Sequence, residues 1–146
     1  RWRLSIMATL KTNTLTGTTT AGSIAVTGEG NSTTTNLQQG LCKGWCNLNG
    51  AGTIAVRDSF NNGSVTDVGT GNYTFNHTNN LNNANYSGNV DVADTASNAT
   101  IPWFQASDAI TTSTYKILGG IVSDTSGGLT GTDCDKVDIN FFGDLA

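Results

Sequence analysis

From residue 44 onward, apolar and polar residues alternate in short runs. In Thr53–Phe60 the apolar Ile54, Val56 and Phe60 fall on even positions. The same period of two recurs in Tyr73/Phe75, in Val90/Val92 and in Val137/Ile139/Phe141. Residues two apart share one side of a strand, so this period marks strands with one buried face. Turn-forming clusters punctuate the runs: Asn49-Gly50, Asn62-Gly63, Gly69-Thr70-Gly71, Asn79 to Asn83 and Ser126-Gly127-Gly128. The pattern predicts strands over 44–49, 53–60, 72–78, 85–92, 100–106, 114–122 and 136–142, with Trp45, Val56, Phe60, Tyr73 and Phe141 in the core. Short strands at this spacing predict an all-β fold spanning residues 37–146, an antiparallel β-sandwich of about seven strands, with a Greek-key barrel as the other reading. Pro102, the sole proline, fits an edge strand or a strand start.

Residues 1–36 read as an extended N-terminal arm. Between positions 8 and 36 the large apolar side chains are few, chiefly Leu10, Leu15, Ile24 and Val26, set among Thr and Gly. Ordering a backbone costs about 1–2 kcal/mol per residue. Fully burying one such side chain returns only roughly 1.5–3 kcal/mol. The arm is therefore either a flexible linker or a segment completed by other chains. Three copies wound together would share apolar contacts and strand hydrogen bonds, so a homotrimer is expected. Its contacts are predicted at Leu10, Leu15, Ile24, Val26, Leu37 and Leu41. Asn36 to Trp45 is the best helical candidate: Asn36 can cap it, and Leu37, Leu41 and Trp45 lie four apart. Gly40 and Gly44 weaken it, leaving one or two turns as a connecting helix. Residues 1–6 precede Met7, the only methionine, and read either as sequence upstream of a natural start or as an ordinary arm. No apolar stretch of signal-peptide length follows them, so no secretory signal is expected.

Composition narrows the function. Thr, Gly, Asn and Ser make up 70 of the 146 residues, which favours strands and turns over helices. The net charge of −4 argues against binding nucleic acid by phosphate neutralisation. No apolar run approaches the roughly 20 residues of a membrane-spanning helix, so no membrane insertion is expected. One histidine, His77, leaves little room for His-based metal sites or catalytic triads. Its parity with Tyr73 and Phe75 places it on a strand, facing a core or a subunit interface. Asp58, Asp67, Asp91, Asp94 and Asp108 could pair as hydrolase carboxylates, but aspartates in Asn/Gly-rich turns are ordinarily turn formers. The acidic stretch Asp133, Asp135, Asp138 matches no EF-hand loop and reads as a strand entry. No enzyme activity, cofactor or metal is expected. The three cysteines, Cys42, Cys46 and Cys134, read as small buried hydrophobes, with a Cys46–Cys134 or Cys42–Cys134 bridge as the other reading. Asn-x-Ser/Thr sequons at Asn31, Asn62, Asn72, Asn76, Asn85 and Asn98 follow from the abundance of these residues. Trp103, Phe104, Tyr115 and Tyr86 are a candidate sugar-stacking group, or else core.

Lys43, Trp45, Asn47, Asn49 and Gly50 are followed by Arg57, Ser59, Phe60 and Asn61, then by Ser64, Thr66, Asp67, Gly69, Gly71 and Tyr73. This pattern resembles a domain of virion structural and tail-fibre proteins of tailed bacteriophages, especially marine ones. The start Met7 to Thr14 and the ending Phe142 to Ala146 are similar to such proteins too. The resemblance is strong over 43–86 and weak over 87–140. Gly44, Cys46, Leu48 and Gly63 depart from it, and Cys46 stands at an apolar position. It implies a non-enzymatic particle component, a trimeric fibre or appendage on the virion exterior, made in the host cytoplasm. It could serve the tail or decorate the capsid. Its expected partners are its own copies, other virion proteins through the arm, and a host-surface glycan. A carbohydrate-binding β-sandwich module outside any particle is the alternative.

Overall fold

A computed structural model describes residues 9–19, 23–28, 32–93, 102–106, 110–122 and 129–146, with backbone alone at 102–106, 120–122 and 129–130. The chain divides into two compact units, 1–38 and 39–146. The first holds a small antiparallel hairpin, β1 (Ala25–Thr27) and β2 (Thr34–Asn36), in the register Val26↔Thr35. The Gly28 amide donates to the Thr33 carbonyl to close it, and the Leu37 amide donates to the Ile24 carbonyl at its open end. The helix α1 (Leu37–Gly40) follows and is one turn long. The helix expected over 36–45 is longer at both ends. Asn36 pairs in β2, and Gly44 and Trp45 belong to the next strand.

The second unit is an all-β sandwich. Its strands are β3 (Gly44–Asn49), β4 (Ala55–Phe60), β5 (Asn62–Gly69), β6 (Asn72–His77), β7 (Ser87–Ala93), β8 (Pro102–Ala106), β9 (Thr114–Val122), β10 (Leu129–Gly131) and β11 (Lys136–Phe142). One sheet runs β4-β3-β11-β7, and the other runs β10-β9-β6-β5 with β8 also paired to β9. All pairings are antiparallel. Strand β5 lies where Asn62-Gly63 indicates a turn. Its apolar residues, Val65 and Val68, are three apart, so they break the period of two. Backbone pairing to β6, with Val65 opposite Phe75, holds it in the sheet.

The chain passes from β4 in one sheet to β5 in the other through the single residue Asn61. Its φ of 54° lies in the left-handed region, which Asn tolerates better than most residues. The buried Asn61 amide nitrogen donates to the carbonyls of Lys43 and Asn79, and its oxygen accepts from the Asn79 amide at 2.6 Å. These bonds hold the corner in place.

The core lies between the sheets. Cys46, Leu48, Val92, Val137, Ile139 and Phe141 from one face meet Tyr73, Phe75, Tyr115 and Ile117 from the other. Two glycines make room for aromatic rings. A Cβ at Gly44 would collide with the Phe141 ring, and one at Gly88 would lie 2.8 Å from the Tyr115 ring. No larger residue fits either position without displacing its ring.

Tyr73 and Phe141 are core residues as expected, but Trp45, Val56 and Phe60 are not. Trp45 stands opposite Phe60 on the outer face, 36% exposed, because its neighbours Cys46 and Leu48 take the inner positions of β3. Val56 is opposite the buried Leu48, yet it remains exposed because β4 is an edge strand.

Candidate functional site: the outer face of the four-stranded sheet

Register places four side chains in one row across the outer face: Phe60 on β4, Trp45 on β3, Asn140 on β11 and Asn89 on β7. Strands are spaced about 4.8 Å apart, so the row is roughly 14 Å long. Its first half is aromatic and its second half is amide. The Asn89 amide nitrogen donates to Asn140 Oδ1 at 3.3 Å. One step along the strands lies a second row, Asp58, Asn47, Asp138 and Asp91. A β-bulge at Asn47/Leu48 sets Arg57 beside Asp58, and its guanidinium donates to the Asn47 and Asn49 side-chain oxygens and to the Leu48 carbonyl, each at 3.3 Å.

Asn47 and Asn140 thus have their amide oxygens engaged, while among the described residues nothing accepts from either amide nitrogen. Lys136 pairs with Asp138 at 2.6 Å, and this bond raises the lysine pKa. Beyond Asn47 the face dips into an open groove of about 490 Å³ lined also by Arg57, Ala93, Asp135 and Lys136.

The polar groups of the interior are structural. The Tyr73 hydroxyl donates to Asp133 Oδ1 at 2.8 Å, with the Gly50 carbonyl 3.1 Å away, and the Gly71 amide donates to the same carboxylate oxygen at 2.7 Å. Burial, then the bond to Asp133, pushes the phenol pKa far up. His77 packs tilted against Phe141 and edge-on to Tyr86. Its Nε2 lies 3.3 Å from the Tyr86 hydroxyl, which donates onward to the Thr114 carbonyl. Nε2 therefore carries the proton, and Nδ1 is buried without a partner among the described residues. Burial lowers the His77 pKa. Burial, with a smaller contribution from Asp138, pushes the Cys46 thiol up to about 11, so it stays protonated and inert at neutral pH. All three cysteines are free thiols, and Cys42 is only half-buried.

The other sequence candidates are scattered. Leu10, Leu15, Val26 and Leu41 are exposed, Leu10 by 76%, while Ile24 and Leu37 are half-buried. Tyr86 and Tyr115 are core rings, so they do not form a stacking platform. The Trp103 and Phe104 side chains, Asp94, Asp108, residues 1–6, and the sequons at Asn31 and Asn98 lie outside the described residues. Asp67 accepts from the Gly69 amide, as a turn former does. Among the described residues, no three His, Cys, Asp or Glu side chains are grouped to hold a metal. Sequence reasoning misses the row Phe60–Trp45–Asn140–Asn89 because it puts the two aromatics inside. The parity of Trp45 against Cys46 and Leu48 is the available signal. No family model, curated protein or solved structure matches the chain.

Proposed function

We propose that the chain is a non-enzymatic structural component of a bacteriophage particle, a trimeric surface fibre or short appendage of the tail or capsid. In this reading residues 1–36 dock it to other virion proteins and to its own copies, and the sandwich is presented outward, where it can contact a host surface. The observation that carries the reading is the arm. Hairpin β1–β2 contains no buried residue, its own Val26 is exposed, and so are Leu10 and Leu15 earlier in the arm. A segment this poor in burial does not offset its ordering cost alone, whereas neighbouring copies would cover those side chains and pair its free strand edges. The phage-like pattern over residues 43–86 supplies the particle context.

Light scattering on the whole chain tests this. The expected mass is three times the 15.2 kDa chain. Removing residues 1–38 should give a folded monomer, because the sandwich has its own core. A whole chain that stays monomeric at micromolar concentration overturns the reading.

A further inference from the structure

We infer that the outer face of the β4-β3-β11-β7 sheet is a binding site for a neutral oligosaccharide, stacked on Trp45 and hydrogen-bonded by Asn47 and Asn140. The inference adds a ligand to the proposed exterior component and rests on that reading for its biological role, though not for the binding itself.

A pyranose ring has two characters. One face presents C–H groups, and the rim presents hydroxyls that both donate and accept. The row Phe60–Trp45–Asn140–Asn89 has the same division. An exposed indole gives a flat surface for C–H groups, and Phe60, also exposed, stands opposite it in register one strand spacing away. The amides flank the indole on two sides: Asn140 across the ladder, and Asn47 two residues along the same strand. Their oxygens are held by Asn89 and Arg57, which orients both NH₂ groups, and those groups have no acceptor among the described residues. Pre-oriented donors beside a stacking surface cost little entropy on binding. The groove beyond Asn47 continues the surface, so a chain of several sugars has somewhere to run.

Charge selects a neutral ligand. Around the amides stand Asp58, Asp91 and Asp138 against Arg57 and Lys136, and Lys136 is already paired with Asp138. The balance is negative, which repels uronate-rich polysaccharides, nucleic acid and anionic lipid headgroups. It also disfavours a large protein interface here. Such interfaces bury about 800 Å² per partner around an apolar centre depleted in charge. This face has carboxylates one residue pair away from its aromatics.

The test is calorimetry on the full-length chain with monovalent hexaoses of glucose, mannose, galactose and N-acetylglucosamine, and with a hexauronate as the acidic comparator. At least one neutral hexaose should bind with a Kd of about 1 mM or tighter, and the hexauronate should bind more weakly. Trp45→Ala should weaken binding tenfold or more, and Asn140→Ala several-fold, each with the thermal midpoint lowered by no more than about 4 °C because both side chains are on the outer face. No binding by any neutral hexaose, preference for the acidic one, or binding that survives Trp45→Ala would each overturn the proposal. Light scattering on the same samples tests assembly separately. A monomer that binds sugar sinks only the trimer. A mass that falls in Trp45→Ala, with no sugar bound by the parent chain, makes this face a contact between copies and sinks only the sugar site.

Discussion

The two faces of the β4-β3-β11-β7 sheet are built from the same strands and differ in nearly everything else. On β3 and β11 the inner face carries Cys46, Leu48, Val137, Ile139 and Phe141, all at most 2% exposed. The outer face of the same strands carries Trp45, Asn47, Asp138 and Asn140. The largest ring on these two strands is on the outer side, and a thiol and a leucine are on the inner one. Residue size and hydrophobicity alone therefore do not say which face is covered. What decides it is which face the second sheet can pack against, and that sheet brings Tyr73, Phe75, Tyr115 and Ile117 to Cys46 and Leu48.

The sharpest way to break this comparison is to truncate inside. Phe141→Ala should cost about 3–5 kcal/mol in chemical denaturation, since the ring is fully buried against His77 and Tyr86. Its neighbour gives the converse test. Gly44→Val forces a side chain into the Phe141 ring and should cost about 1–3 kcal/mol or more. Combined with Phe141→Leu, that cost should shrink. An additive pair would mean that Gly44 does not make room for the ring.

Next in size is the buried polar contact. Tyr73→Phe leaves Asp133 with the Gly71 amide as its remaining partner among these contacts, and it should cost about 1–3 kcal/mol. At about 2–4 °C per kcal/mol for a chain of this length, a drop of several degrees in the thermal midpoint is expected. A drop below one degree would show that water replaces the phenol at no cost.

Strand parity makes most of the fold legible. The expected segments from 44–49 to 136–142 each match a strand to within two residues, even where the bulge at Asn47/Leu48 shifts the β3–β4 register. Two strands of the sandwich are missed, the three-residue β10 (Leu129–Gly131) and β5, and in β5 Asn62-Gly63 carries strong turn chemistry and Val65 and Val68 are out of step. Only pairing with β6 reveals it as a strand, and pairing is not local information. The candidate site is less legible for a related reason. Alternation in β3 offers two faces, Trp45/Asn47 or Cys46/Leu48, and an aromatic-first choice picks the wrong one. The arm shows the opposite limit. Its poverty in apolar residues is evident, but whether other copies cover Leu10 and Leu15 depends on chains outside the monomer.

His77, on β6 of the facing sheet, packs against the inner-face Phe141 and makes the comparison pH-dependent. Folding lowers its pKa through burial, with Nδ1 unpartnered among the described residues and the Tyr86 hydroxyl beside Nε2. In the unfolded chain the ring titrates near its ordinary value of about 6.5. Between that value and the lower folded pKa, the unfolded state holds more protons, so stability falls as pH drops. Above about 6.5 the contribution is fully present. Denaturation midpoints at pH 7.5 and pH 5 should therefore differ more for the parent than for His77→Phe. An equal acid loss in both would place the sensitivity elsewhere.

The smallest expected effect is the one that defines the outer face. Trp45 and Phe60 stand directly opposite each other, and cross-strand aromatic pairs contribute roughly 0.2–1 kcal/mol beyond alanine. Phe60 is 52% exposed and sits on an edge strand, so neither ring is trapped by a second layer. Trp45→Ala and Phe60→Ala should each cost no more than about 1 kcal/mol, and their double-mutant coupling should fall within the same range. A buried tryptophan truncated to alanine costs about 3–5 kcal/mol, so the measurement separates the two placements cleanly. If Trp45→Ala destabilises the isolated chain as much as Phe141→Ala does, the tryptophan is covered in solution and the two faces are not different in kind. If stability holds while sugar binding is lost, the ring is kept on the surface for a ligand and not for the fold.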